Sequence, residues 1–184
     1  MNPAEEILRT LASHLEGPGH VRLFGGAALI LGYGLSRSTE DADLILDEQE
    51  VDVLIRQANF GEALRLTNEE LAPKGLYLTH IFGPEQQILT PEWRQSCVVV
   101  NRSFGNAALA VSALGPLDLI LSKLARADDE DLEDIRFIIE SKGIERKTLA
   151  DAIDRAMVPE VLSEVFERNR QRVLKLFDKP RGSS

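Results

Sequence analysis

Apolar positions along the chain follow two patterns. Up to about residue 114, short alternating or continuous apolar runs are interleaved with helical periodicities, and beyond Pro116 only the helical period remains. Ile7, Leu8, Leu11 and Leu15 recur at helical spacing behind Asn2-Pro3-Ala4-Glu5, which offers Asn as a cap, Pro at the first helical position and an early Glu. Gly17-Pro18-Gly19 stops that helix. His20–Phe24 reads as a short strand broken by Gly25-Gly26, and Ala27–Gly34 as a short buried helix. Leu35–Glu40 is a predicted loop, and Asp41–Leu46 alternates as a strand does. The pattern predicts a helix from Asp47 to about Leu66, broken near Asn59-Phe60-Gly61. Gly75–Phe82, Gln95–Val100 and Asn106–Ala113 are predicted strands, with an irregular stretch from Gly83 to Trp93. Four predicted helices follow: Pro116–Ala127, Asp129–Lys142, Arg146–Met157 and Pro159–Phe177.

Strands mixed with helices, followed by helices alone, predict an α+β fold: a mixed sheet flanked by helices, with a helical C-terminal part. The expected organisation is an α/β core over residues 1–114, a helical part over 115–178 packed on it, and a flexible tail over 179–184.

Composition narrows the setting. The 184 residues carry 21 Lys and Arg against 30 Asp and Glu, a net charge of −9. An acidic surface repels phosphate backbones, which argues against non-specific nucleic-acid binding. It leaves open a nucleotide bound with a divalent cation, because the cation reverses the local sign. Cys97 is the single cysteine, so no internal disulfide forms, which fits a reducing cytoplasm, and no Cys/His zinc spacing exists. No stretch approaches the roughly 18–20 unbroken apolar residues of a membrane span. The first residues carry two early acids and do not read as a secretory signal. The expected location is cytoplasmic, with no membrane partner.

The candidate chemistry lies between Arg22 and Leu46. Alternate residues of a strand face one side about 6.6 Å apart, at ~3.3 Å rise per residue. Asp41 and Asp43 therefore share a side with Ile45, while Ala42, Leu44 and Leu46 form a wholly apolar side that belongs to the core. At ~7 Å the two carboxylates repel by about 2.4 kcal/mol at an effective dielectric near 20, and by roughly 0.6 kcal/mol in full solvent. A bound Mg²⁺ (or Mn²⁺) would turn that repulsion into attraction, and hard oxygen ligands suit it. Gly25 and Gly26, at a strand-to-helix turn, let backbone N–H groups approach an anion, and the following helix adds its positive end. Arg37 and Thr39 in the next loop could add phosphate or base contacts. Either feature alone is also compatible with an ordinary turn or a solvated acid pair; their order and spacing make the combination specific.

These residues resemble the signature of minimal nucleotidyltransferases of the polymerase-beta superfamily: Gly-Gly, a short helix, then Asp-x-Asp. The pattern Gly-Gly-x-Ala-Leu followed by Arg-x-Thr-x-Asp-x-Asp is similar to that of the AbiEii-like group, matched by Gly25, Gly26, Ala28, Leu29, Arg37, Thr39, Asp41 and Asp43. A second, less specific match is an Asp-x4-Lys helix followed by an Asp-x-x-Asp-Ile helix, carried by Asp118, Lys123, Asp131, Asp134 and Ile135. The resemblance spans roughly residues 20–140.

Lys123 borders the apolar stripe of its helix, as Asp131 and Asp134 border theirs. Lys123 would suit a triphosphate oxygen, and Asp131 or Asp134 could pair with Lys123 or position an acceptor. The acids also lie where a helix start favours them regardless of function. The resemblance further implies a third carboxylate on a later strand, serving as base and second-metal ligand. The corresponding strand, Gly75–Phe82, has no acid; His80 is its nearest polar residue, able to accept a proton or ligate a softer metal, or to be an ordinary strand histidine.

What the resemblance implies is transfer of a nucleoside monophosphate from a Mg-bound NTP to a hydroxyl of RNA (tRNA) or protein. It also implies a toxin–antitoxin or phage-defence setting with a cognate antitoxin or toxin. The missing acid supports an alternative, a catalytically inactive relative that binds nucleotide or a partner. Lesser candidates are Cys97 as a core thiol and Trp93 as a base stack or a core cap. The basic C-terminal run of Arg168, Arg170, Arg172, Lys175, Lys179 and Arg181 reads as a solvated face or an RNA contact.

Overall fold

The computed structural model describes residues 1–105 and 109–178, with the backbone alone at His80. The chain divides into two compact units: Met1–Pro84 with Cys97–Leu114, and Glu85–Ser96 with the chain from Gly115 onward.

The first unit holds helices α1 (Pro3–His14), α2 (Gly25–Tyr33), α3 (Glu48–Ala58) and α4 (Phe60–Leu71), and strands β1 (Gly19–Phe24), β2 (Asp41–Ile45), β3 (Tyr77–Phe82), β4 (Val98–Val99) and β5 (Leu109–Ala113). One mixed sheet runs in the order β3-β2-β1-β5-β4. β1 pairs antiparallel with β2 and parallel with β5, and β2 pairs parallel with β3. This is the α+β arrangement the patterning predicts.

Local chemistry sets the boundaries. Asn2 caps α1 by accepting from the Ala4 N–H, with Pro3 behind it. Asp47 and Glu50 form a reciprocal capping box at the start of α3. The break expected near Asn59 is a left-handed Asn59, φ 50°, between α3 and α4. Asn tolerates that conformation better than most residues, and here its side-chain amide donates to Glu16 Oε1 at 2.9 Å.

Strand alternation divides the sheet into two faces. Val21, Leu23, Ala42, Leu44, Val111 and Ala113 are all buried on one face. His20, Arg22, Phe24, Asp41, Asp43 and Ser112 lie on the other, so each acid of the Asp-x-Asp is turned from the apolar face as the alternation requires. Leu23 opposes Leu44 and Phe24 opposes Asp43, which places the end of β1 beside the second acid. Arg22 is buried there at 6 % exposure, held by Glu50 at 2.8 Å and by the Ile45 carbonyl at 3.2 Å. Burial pulls its proton affinity down, and the hydrogen bond and charge of Glu50, with a smaller contribution from Cys97, together more than reverse this.

The second unit contains α5 (Trp93–Ser96), α6 (Pro116–Lys123), α7 (Asp129–Lys142), α8 (Arg146–Asp154) and α9 (Ser163–Leu174). The strand predicted over Gln95–Val100 is shorter than expected. Its first residues end α5, where Ser96 Oγ donates to the Trp93 carbonyl, and only Val98 and Val99 pair with β5. Pro159 precedes a tight 3₁₀ turn at Glu160–Leu162, so α9 begins at Ser163 rather than at Pro159. Asn169 of α9 donates to the carbonyls of Leu124 and Arg126, and Arg172 to that of Ala127. These bonds hold the α6–α7 connection, where Ala127 is buried at φ 51°. The predicted tail at 179–184, with Lys179 and Arg181, lies outside the described residues.

Candidate functional site

The turn from β1 into α2 has the features that an anion site needs. Gly25 has φ 66°, a conformation that costs an L side chain roughly 1–2 kcal/mol. Phe24 stands at the cap position with no side-chain hydrogen bond, and the first turn of α2 carries no acid. The initial N–H groups therefore have no capping side chain.

The loop and strand that follow close around this turn. A Cβ at Gly25 would stand 3.5 Å from Asp43 Oδ2. A Cβ at Gly26 would stand 3.3 Å from Thr39 Oγ1 and 3.6 Å from Arg37 Nη2. Gly25, Gly26, Arg37, Thr39 and Asp43 thus gather at one place, and Asp41 joins through Thr39, whose hydroxyl donates to Asp41 Oδ1 at 2.9 Å. The loop is tied down from its far side, because Asn2 Nδ2 donates to the Arg37 carbonyl at 3.3 Å. Asp41 is exposed and Asp43 half-buried, so the pair meets water at the mouth of the strand.

A second hydroxyl, not anticipated from the sequence, completes the cluster. Thr79 Oγ1 donates to Asp43 Oδ1 at 3.1 Å. Its recruitment depends on the β2–β3 register: Ala42 aligns with Leu78, but Asp43 aligns with His80. The register skips Thr79, a shift that no spacing rule could have located. The backbone of His80 lies opposite Asp43, and the role considered for its side chain lies outside the described residues.

The donor set suits a hard cation. Two carboxylates supply oxygen ligands, and each has one oxygen engaged by a threonine hydroxyl. Among the described residues, no group of three or more His, Cys, Asp and Glu could hold a metal. An ion between Asp41 and Asp43 would draw its remaining ligands from substrate phosphates and water, as Mg²⁺ commonly does.

Lys123, Asp131 and Asp134 come together within the helical unit. Lys123 Nζ lies 2.9 Å from Asp131 Oδ1 and 2.8 Å from Asp134 Oδ2, and the three side chains are 8 %, 3 % and 2 % exposed. Arg126 adds bonds to Asp131 at 2.8 and 3.0 Å. Burial pushes Asp131 up, but hydrogen bonds from Arg126 and Lys123 outweigh it and leave the carboxyl below its ordinary range. Asp118 of the same motif is 1 % exposed and accepts from the Thr90 N–H and hydroxyl and from Ser96 Oγ, at 2.7, 2.9 and 2.7 Å. It fastens the Thr90–Ser96 segment onto α6.

Of the lesser candidates, Trp93 is buried, with the Arg94 guanidinium 4.4 Å from its ring centre, and Cys97 is half-buried. Arg170 pairs with Asp154 and Glu167, and Arg172 with Asp129. Among the described residues, no helix is long and apolar enough to cross a membrane.

No curated protein and no solved structure matches the chain. A family model described as a nucleotidyltransferase of unknown function (DUF6036) matches residues 4–178. The match covers nearly the whole chain, and the protein belongs to this nucleotidyltransferase family.

Proposed function

We propose that the protein binds a nucleoside triphosphate with Mg²⁺ or Mn²⁺ at the Gly25–Asp43 cluster and transfers the nucleoside monophosphate to a hydroxyl. The observation that carries this reading is the placement of Asp43 Oδ2 against the left-handed Gly25. It puts a carboxylate beside a helix start without a side-chain cap. Gly25 and Gly26 would admit phosphate to the α2 N–H groups, and Arg37 would neutralise a further phosphate oxygen. Asp41 and Asp43 would hold the cation, whose contribution is charge neutralisation on the phosphates. An acceptor hydroxyl then loses its proton to solvent as its oxygen bonds to the α-phosphorus, the bond from that phosphorus to the α,β-bridging oxygen breaks, and pyrophosphate leaves. Positioning and electrostatics would supply the rate.

The motif resemblance supports AbiEii-like kinship, RNA (tRNA) or protein as acceptor, and a toxin–antitoxin or phage-defence setting with a cognate partner. Lys123 as a triphosphate contact, with Asp131 and Asp134 near it, belongs to the same proposal. For Lys123 it requires exchanging two carboxylate partners for phosphate. A second reading, nucleotide binding without transfer, is favoured by the absence of an acid on β3.

The test is incubation with each α-labelled NTP and Mg²⁺ or Mn²⁺, with and without bulk tRNA. Labelling of RNA or protein that disappears in Asp41→Ala and Asp43→Ala supports transfer. Nucleotide-dependent thermal stabilisation without labelling supports the binder, and neither effect overturns both.

A further inference from the structure

We infer that Thr79 is a positioning residue that fixes the orientation of the Asp43 carboxylate toward the bound cation; this rests on the metal–nucleotide reading of the cluster. Three observations converge on it.

The first is that the two oxygens of Asp43 are distinguished. Oδ1 accepts from Thr79 at 3.1 Å, whereas Oδ2 is the oxygen turned toward Gly25. A carboxylate rotates easily about its last torsion, whose wells are broad. A hydroxyl donor on one oxygen sets which oxygen is presented to the glycine turn. The second is repetition: Asp41 Oδ1 is bonded in the same manner by Thr39, from a different segment. Both acids therefore accept a neutral hydroxyl on Oδ1, a contact that orients the carboxylate.

The third is the backbone. Thr79 is the residue left over where the β2–β3 register shifts from Ala42–Leu78 to Asp43–His80. A bulge of this kind re-aims one side chain and is enriched beside functional sites. The residue before it is pinned: Asn68 Oδ1 accepts from the Leu78 N–H at 2.8 Å, and Asn68 Nδ2 donates to the Leu78 carbonyl at 3.0 Å. Thr79 itself is exposed, so its hydroxyl is not needed to satisfy a buried group.

Outer partners of metal ligands typically contribute about 10–100-fold to metal affinity. The experiment is Mn²⁺ titration of the full chain with a non-hydrolysable NTP analogue, following free Mn²⁺ by electron paramagnetic resonance. Wild type, Thr79→Val, Thr79→Ser and Asp43→Asn are compared, with melting temperatures taken alongside. The expected result is about 10-fold or greater weakening in Thr79→Val at an unchanged melting temperature, with recovery in Thr79→Ser and near-complete loss in Asp43→Asn. Wild-type affinity in Thr79→Val, with Asp43→Asn still deficient, overturns the role of Thr79 and leaves the cluster intact. Weakening in Thr79→Ser equal to that in Thr79→Val also overturns it, because the hydroxyl is then irrelevant. Absence of Mn²⁺ uptake by wild type overturns the metal reading and this inference with it.

Discussion

Lys123 Nζ lies 2.8 Å from Asp134 Oδ2 and 2.9 Å from Asp131 Oδ1, with all three groups almost wholly removed from water. Taking one partner from such a group leaves uncompensated charge in a poorly solvated place, a loss of about 3–5 kcal/mol. Lys123→Met is accordingly expected to lower unfolding free energy by that order in chemical denaturation. A variant that keeps its stability and loses only nucleotide affinity would instead mark Lys123 as a phosphate contact.

Acid sensitivity follows from this cluster and, separately, from the Arg22–Glu50 pair. Asp131 and Glu50 both sit below their ordinary range. In each, burial acts upward and is outweighed, by Arg126 and Lys123 at Asp131 and by Arg22 together with the Asp47 N–H at Glu50. A depressed folded-state carboxyl contributes stability above its unfolded pKa and loses it as pH falls through the folded value. With unfolded values of about 3.9 for Asp and 4.3 for Glu, stability is expected to decline below roughly pH 4. Melting curves of wild type and Asp131→Asn from pH 6 to pH 2 are expected to converge at the acid end; a constant gap would contradict the assignment.

Asp118 offers a separate test within the helical unit. Asp118→Ala strands the N–H and the hydroxyl of the buried Thr90, where each unmet donor costs about 1–3 kcal/mol, while the exposed Ser96 hydroxyl keeps the Trp93 carbonyl. The expected loss is about 2 kcal/mol or more, with faster amide exchange at Thr90 as the local signature. Unchanged exchange there would show that Asp118 does not hold the segment.

At the glycine turn, Gly25→Ala places a side chain in a left-handed backbone, at a cost of roughly 1–2 kcal/mol, and brings its Cβ within 3.5 Å of Asp43 Oδ2. Nucleotide affinity is expected to fall further than that stability loss explains. Gly34→Ala is the control, because its φ is 76° but no neighbour lies within 4 Å of the added carbon. Equal effects of the two substitutions on nucleotide binding would remove Gly25 from the site.

Much of this architecture is legible in the chain. The alternation of Asp41–Ile45 fixes which side is core, and the apolar run behind Gly25-Gly26 marks a buried helix. What escapes is tertiary. The shifted register that brings Thr79 to Asp43 depends on how β3 pairs with β2 and leaves no periodic trace. The three-residue spacing of Asp131 and Asp134 offers either as a partner for Lys123, but it does not reveal that Lys123 meets both at once or that Arg126 joins at Asp131. Similarly, the Gln95–Val100 run has strand character, and its front half instead joins α5, where Ser96 finds the Asp118 carboxylate.

Metal-dependent binding of NTP tests the central claim most directly. Calorimetric titration of wild type with each NTP, with Mg²⁺ and with chelator, is compared with the same titrations of Asp41→Asn and Asp43→Asn. The account predicts that wild type binds at least one NTP only when the cation is present, and that either substitution abolishes the cation dependence. NTP binding that is indifferent to the cation, or equal in wild type and both variants, would contradict it.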